Sequence, residues 1–303
     1  MSKDSLGDRM KDHENRTRYF LPKRIFGLLR IDGKAFHTYT RGFQKPFDEE
    51  LIEDMNLTAK YLCENIQGAR FGYVQSDEIT ILFTDYYDYK TELWFDGNIQ
   101  KITSVSASLA TSKFNQLRIG RGLTSTLKNY VYGAGQEKDD PILTWDFRVS
   151  LENIKLAQFD SRVWSESLRE EVVNCLIWRQ QDAVRNSIQA VAQSLYSHKE
   201  LNGKNSADLQ EMIFRKGINW NDIGAGKKRG RMIVPRRTLV PTTSEAFLKA
   251  NPNEQENFIK IQDEIFLKRK IWAIDDAFDF NKDKERIEFI IKLGEDQSVE
   301  HEQ

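Results

Sequence analysis

The chain has 303 residues, of which 39% are hydrophobic and 30% are charged, and its formal net charge is −1. This composition is typical of a soluble globular protein and excludes an intrinsically disordered chain. Because 45 Lys and Arg are balanced by 46 Asp and Glu, the protein is not basic overall, and any contact with nucleic acid requires local basic patches.

The cysteines and the hydropathy of the chain exclude further classes of protein. The two cysteines, Cys63 and Cys175, fall in separate predicted helices, so neither a disulfide framework nor a Cys/His zinc site is indicated. The chain contains no run of about 18 apolar residues, and its first residues do not resemble a signal peptide. We therefore expect a cytoplasmic protein without a membrane partner.

The hydrophobic pattern of the first half predicts alternating helices and strands. In chain order these are a helix over 5–17, a buried strand over 24–31, a helix over 48–66, strands over 71–75 and 79–83, and a helix over 99–114. Asp48 is the expected N-cap of the second helix, and Gly68 lies just beyond its end. Residues 120–140 are expected to form a loop, followed by strands over 141–151 and 154–164.

The order strand, helix, hairpin, helix, strand predicts an α+β fold, namely a ferredoxin-like βαββαβ sheet with helices on one face. We assign residues 1–165 to this catalytic domain with its N-terminal helix. Residues 166–240 are predicted to add helices and a mobile basic loop over 227–237 that contact RNA or nucleotide. Residues 241–303 are predicted to be a helical C-terminal extension of unknown role, with a helix over 254–272.

Three acids lie at the ends of the predicted strands. Asp32 ends the first strand, and Asp77 and Glu78 lie at the hairpin of the same sheet. Convergent carboxylates suit Mg²⁺, and two such ions about 4 Å apart can clamp the attacking and leaving oxygens of phosphoryl transfer. Gly33 allows close backbone approach. Ordinary turn chemistry explains each acid separately, so both interpretations stay open at this point.

Several spaced motifs resemble the tRNA-histidine guanylyltransferase family. In chain order they are RIDGKAFHTYT (30–40), FQKPFD (43–48), GYVQSDEITILF (72–83), KITSVSASLATSKF (101–114), FDSRVW (159–164) and WRQQDAVRNSI (178–188). The resemblance covers most of residues 4–235, and in detail the chain is similar to the bacterial and archaeal guanylyltransferase-like branch. It implies a polymerase-like palm that adds nucleotides in the 3′-to-5′ direction.

The resemblance also implies roles for individual residues. Asp32, the backbone carbonyl of Gly33, and Asp77 would bind two Mg²⁺ ions, with Glu78 beside them as a third catalytic acid. Contacts with nucleoside triphosphate are expected from Lys34, His37, Lys45, Ser76 and Lys101. Contacts with RNA are expected from Arg162, Arg179, Asn186, Lys227, Lys228 and Arg229. The alternatives are solvated surface charges for the lysines, and structural ion pairs or polar networks for the others.

Two departures from the eukaryotic members bear on the reaction. Val184 stands at the histidine position of their HINNLYN segment, and Asp96-Gly97-Asn98 stands where they usually have basic residues. We therefore favour template-dependent repair of tRNA 5′ ends, with ATP activating the end and GTP or another NTP extending it. The alternatives are dedicated guanylylation of tRNA-histidine, a nucleotide cyclase on the same palm, and a non-catalytic RNA-binding module. The expected partners are tRNA, nucleoside triphosphates and, by resemblance, further copies in a homotetramer.

Overall fold

The computed structural model describes residues 5–86, 90–133, 155–243, 248–249, 257–261 and 264–295. Its helices are α1 Ser5–Asn15, α2 Phe36–Tyr39, α3 Glu49–Asn65, α4 Ile99–Gly133, α5 Arg169–Leu195, α6 His198–Leu201, α7 Ser206–Arg215, α8 Ala225–Arg229 and α9 Lys284–Glu295. Its strands are β1 Phe26–Gly33, β2 Ala69–Gln75, β3 Glu78–Thr84, β4 Phe159–Glu166, β5 Arg231–Thr242, β6 Phe258–Ile261 and β7 Glu264–Asp276. Trp94–Gly97 and Trp220–Asp222 form short 3₁₀ turns.

Within the described residues, the seven strands belong to one antiparallel sheet with the order β4-β1-β3-β2-β5-β7-β6. Helix α3 connects β1 to β2, and α4 leads from β3 towards β4. The α+β class and the elements predicted within residues 5–114 are confirmed. Asp48 is the N-cap of α3 as predicted, since its Oδ1 accepts a hydrogen bond from the backbone N–H of Leu51 at 2.9 Å.

The two helices of the predicted βαββαβ unit, α3 and α4, lie on one face of the sheet as predicted, and the later helices α5 and α9 cover the other face. Leu29 packs in the core under α3 and α4, whereas its neighbour Leu28 packs with Leu176 of α5 and Ile287 of α9. Alternate residues of a strand point to opposite faces. The unbroken apolar run of β1 is the consequence of burial on both sides.

Helix α4 extends through Gly133, so the loop predicted from residue 120 is wrong for residues 120–133. Glycines in this stretch weaken helix propensity, but tertiary contacts hold the helix. Arg118 and Arg121 donate hydrogen bonds at 3.0 and 2.7 Å to the fully buried carboxylate of Asp54 on α3. The strand predicted over 141–151 lies outside the described residues.

The C-terminal region extends the sheet, so the helix predicted over 254–272 is wrong in the described residues. Strand β7 pairs with β5 over a continuous register from Arg231–Asp276 to Thr242–Ile265. Its β-branched and aromatic residues suit a strand, and this long ladder outweighs the helix-like spacing of its charges. Helical structure in this region includes α9, whose Ile287 and Ile291 are fully buried.

The basic segment over 227–237 is not a loop. Its first residues belong to α8, and its remainder is the start of β5. Arg231 and Ile233 are buried where β5 pairs with β2 and β7. None of the described helices is long and apolar enough to cross a membrane.

Candidate active site

The strand ends bring two of the predicted acids together. Asp32 is the second-last residue of β1, and its register partner on β3 is Glu78. The backbone N–H of Gly33 donates to the carbonyl of Asp77 at 3.1 Å. The end of β1 is therefore tied to the β2–β3 turn, and Asp32 and Asp77, 45 positions apart in the printed sequence, share one site.

The local backbone of this site requires particular residues. Ser76 occupies the left-handed region with φ 47°, a conformation tolerated by short polar turn residues. Its hydroxyl donates to Asp77 Oδ1 at 2.9 Å. A Cβ on Gly33 would lie 2.2 Å from Cδ2 of Phe36, so only glycine fits above the Phe36 ring.

The surroundings of the two carboxylates disfavour their charged forms on balance. Burial raises the pKa of Asp32, and the nearby charge of Asp160 raises it further. Burial also raises the pKa of Asp77, and Asp32 adds to this effect. Within the described residues, the Asp32 carboxylate accepts no protein hydrogen bond and forms no ion pair.

This set of oxygen donors fits Mg²⁺. A hard cation held by one or two carboxylates, with substrate phosphates and water completing its ligands, needs no dedicated protein cage. Across the described part of the chain, no group of three or more His, Cys, Asp or Glu side chains is arranged to hold a metal. A metal bound by Asp32 and Asp77 therefore needs further ligands that are not side chains, such as the backbone carbonyl of Gly33.

Glu78 faces a different environment from Asp77. It is 8% exposed and lies on the face of the sheet covered by α5. Its Oε1 lies 2.8 Å from Nε of Arg179, and its Oε2 lies 3.9 Å from Nε of Arg30. Burial raises the pKa of Glu78, while the two guanidinium groups oppose that change. The carboxylate thus holds two arginines in place, and its catalytic role stays a prediction.

A cavity of ≈ 570 Å³ opens beside Asp32 and Asp77, a size typical of small-molecule sites. Three of the predicted nucleotide contacts line it: His37, Lys45 and Ser76. The α5 residue Asn186, predicted to contact RNA, also lines it. Lys45 forms no ion pair within the described residues, so its charge is available to an anion in the cavity.

A second cavity of ≈ 140 Å³ adjoins the first and shares Ser76 and Asn186 with it. Lys227 lines this smaller cavity. Its ammonium forms an ion pair with Glu49 in the first turn of α3. The two cavities together form one recess between the β2–β3 turn, the start of α3 and the middle of α5.

Two predicted nucleotide contacts lie away from the cavity. Lys34 turns towards β4 and donates from Nζ to Oε1 of Gln158 at 3.1 Å. Lys101 lies in the first turn of α4, whereas Thr111, further along this helix, accepts a hydrogen bond from the N–H of Phe159, the register partner of Gly33. The helix between Lys101 and Thr111 spans roughly 15 Å, which separates Lys101 from the level of the acids.

The basic residues predicted to bind RNA differ in access. Arg162 is 58% exposed in its side chain and forms an ion pair with Asp160 at 3.6 Å. Lys228 is buried, and its ammonium donates to the backbone carbonyl of Asn221. Arg229 is half-buried in α8. The buried position makes Lys228 unavailable to a ligand at the surface of this chain.

Arg179 is nearly buried and lies between two protein carboxylates. Besides its ion pair with Glu78, its Nη2 donates to Asp182 Oδ2 at 2.6 Å. Arg30, which contacts Glu78 from the sheet, was not among the predicted site residues. The sequence could have indicated Arg30 by its position two residues before Asp32, because residues i and i+2 of a strand lie on the same face.

Comparison with known proteins identifies relatives over most of the chain. A family model described as tRNAHis guanylyltransferase matches residues 7–165. The chain is similar to the solved bacterial tRNA(HIS) guanylyltransferase (Thg1)-like protein in complex with ATP, at 37% identity and TM-score 0.69, covering 95% of this chain and 99% of that one. The corresponding GTP complex gives 36% identity, TM-score 0.66 and the same coverage. An uncharacterised protein of Acanthamoeba polyphaga mimivirus is 30% identical over 249 residues, covering 79% of each chain.

Proposed function

This chain belongs to the tRNAHis guanylyltransferase family and is a nucleotidyltransferase, and we propose that it adds nucleotides to the 5′ ends of tRNA by template-dependent repair. One observation carries the proposal. The carboxylates of Asp32 and Asp77 converge at a cavity lined by His37, Lys45 and Ser76. That arrangement places acids suited to a cation beside groups suited to phosphate.

The proposed reaction has two steps. In the first, a 5′-phosphate oxygen of the RNA attacks the α-phosphorus of ATP, and pyrophosphate leaves. In the second, the 3′-hydroxyl oxygen of an incoming NTP attacks the 5′-phosphorus of the adenylylated RNA, the hydroxyl proton is lost, and AMP leaves. Both steps are displacements at phosphorus, in which positioning and charge stabilisation provide most of the catalysis.

The residues of this chain hold the reacting groups in the proposed reaction. Asp32, the Gly33 carbonyl and Asp77 would bind Mg²⁺, which when bound neutralises charge on the reacting phosphate. Lys45 is exposed in the cavity and would bind a triphosphate oxygen. The Ser76 hydroxyl would contact the same triphosphate, and His37, which also lines the cavity, would contact the activated nucleotide.

Position 184 supports repair over a dedicated guanylyltransferase. Val184 is partly buried against the apolar cluster of Ile188, Val191 and Trp220, and it offers no hydrogen-bonding group. A site that selects one base by hydrogen bonds needs such groups. The bacterial Thg1-like complexes contain ATP in one case and GTP in the other, which supports both nucleotides as substrates. The homotetramer and the use of two Mg²⁺ ions remain expectations from the resemblance.

The decisive test is extension of a 5′-truncated, 5′-monophosphorylated tRNA with Mg²⁺, ATP and each NTP supplied separately. We expect extension by the nucleotide complementary to the opposing base and by no other. Addition of G whatever the opposing base would replace repair by dedicated guanylylation. Conversion of NTP to a cyclic product without RNA would show a cyclase instead.

A further inference from the structure

The indole of Trp178 is an exposed aromatic group on an otherwise well-packed helix. Its neighbours Leu176 and Ile177 are buried in the core between α5 and the sheet, whereas Trp178 is 49% exposed. Single exposed aromatic side chains are common on protein surfaces, so the surroundings of Trp178 decide what it can bind. The proposed roles of the acids and of the cavity do not use this side chain.

Two guanidinium groups fix the indole. The Cζ of Arg179 lies 4.2 Å from the Trp178 ring centroid, and the Cζ of Arg30 lies 5.8 Å from it. Both arginines contact the same carboxylate, that of Glu78. The aromatic group is therefore held by cation–π contacts to side chains that are themselves anchored. A rigid aromatic loses little conformational entropy when a ligand stacks on it.

Trp178 stands over an exposed basic edge of the sheet. Arg30, its contact on β1, is the register partner of Arg162 on β4, the edge strand. Directly paired residues point to the same face, so Arg162 lies on the Trp178 side of the sheet. The same register pairs Asp32 with Asp160 one step further along. The surface formed by Trp178, Arg30 and Arg162 reaches as far as Asp32. Asp32 also lines the nucleotide cavity, whereas those three residues do not.

We propose that Trp178 is the stacking platform for the terminal base at the RNA 5′ end, with Arg162 binding a phosphate of the same strand. The inference rests on the proposed function, because a 5′-extending enzyme must hold an RNA end and a nucleotide on either side of its acids. The cavity with Lys45 takes the nucleotide. The open surface of Trp178 and Arg162 takes the longer substrate, since aromatic side chains stack on bases and nearby cations bind phosphates in complexes with nucleic acids.

The test combines two Trp178 variants with two RNA ligands. Loss of a single stacking contact weakens binding roughly 5- to 150-fold. We expect Trp178→Leu to weaken tRNA binding within that range and Trp178→Phe to retain most of the affinity. Replacing the terminal 5′ nucleotide of the tRNA by an abasic one should weaken binding to the wild-type protein but leave binding to Trp178→Leu nearly unchanged. ATP binding without RNA should be the same in all three proteins.

Phe214→Leu is the matched control, because Phe214 is 63% exposed on α7, remote from the acids, and should bind both RNAs as the wild type does. Equal affinity of Trp178→Leu and wild type for intact tRNA would overturn the proposal, as would equal weakening of both proteins by the abasic end. The abasic comparison on the wild type needs no variant, so a folding defect cannot hide the answer. If the wild type binds and extends tRNA but these results appear, only the stacking inference fails. Absence of extension by the wild type refutes the proposed function itself.

Discussion

The carboxylate of Glu78 lies 2.8 Å from the guanidinium Nε of Arg179 and joins the central sheet to α5 next to the candidate active site. Both side chains are almost fully buried. An ion pair in this environment is costly to break from one side, because the remaining charge has no solvent to replace its partner.

We expect Glu78→Ala to lower the free energy of unfolding by about 3 kcal/mol, because it leaves Arg179 and Arg30 without their shared carboxylate. In the double variant Glu78→Ala, Arg179→Met, part of this loss should be recovered, since the uncompensated guanidinium is gone. Urea denaturation of the two single variants and the double variant measures the coupling. Additive effects would show that the 2.8 Å contact contributes nothing specific.

Asp77→Ala should lower the rate of activation of the RNA end and the rate of nucleotide addition, each by on the order of 100-fold or more. Its thermal unfolding midpoint should not fall, because the variant removes one of two repelling carboxylates. Rates of 5′-adenylylation and of extension measure the two steps separately. Asp12→Ala, which alters an exposed acid on α1, serves as the control. Retained adenylylation by Asp77→Ala would remove Asp77 from the metal site.

Gln180 joins α5 to the C-terminal segment. Its Nε2 donates to the carbonyl of Phe278 at 2.7 Å, and its Oε1 accepts from the N–H of Phe280 at 2.8 Å. Gln180→Ala should lower the free energy of unfolding by about 1–3 kcal/mol, because it leaves buried backbone groups unpaired. The neighbouring exposed residue provides the control, since Gln181→Ala should change stability by less than about 0.5 kcal/mol.

Hydrogen exchange provides a second measurement of the Gln180 contact. The N–H of Phe280 should exchange faster in Gln180→Ala than in the wild type or in Gln181→Ala. Equal protection of this amide in all three proteins would show that the segment after β7 is held by apolar packing alone.

Both thiols should be poorly reactive in the folded protein. Burial raises the pKa of Cys175 to about 11 and raises the pKa of Cys63 further. The reactive thiolate is then roughly one part in a thousand for Cys175 at pH 8. We expect slow reaction with an aromatic disulfide reagent, rising about tenfold per pH unit below that pKa, and rapid reaction of both thiols in denaturant. Fast modification of the native protein at neutral pH would contradict the burial of these thiols.

The sequence by itself determined the elements of residues 5–114 and the placement of Asp32 and Asp77 at or beside the ends of strands. Local signals sufficed there: periodic apolar residues, an Asp48 cap, and a polar turn between two strands. The approach of Asp32 to Asp77, in contrast, required the pairing of β1 with β3, two strands that are not consecutive in the chain. The spaced motifs indicated the family independently of these arguments.

Only the tertiary structure decided what each side chain meets. Glu78 follows Asp77 in the chain, but alternation along the strand turns it towards Arg179. Lys101 matches a family motif, but it lies about three helical turns before Thr111, the α4 residue that contacts Phe159 beside the site. The segment of β7 carries charges at helix-like spacing, but a continuous ladder with β5 makes it a strand. These outcomes depend on contacts between residues distant in sequence. A local sequence pattern does not report the free energy of such contacts, so it cannot predict them.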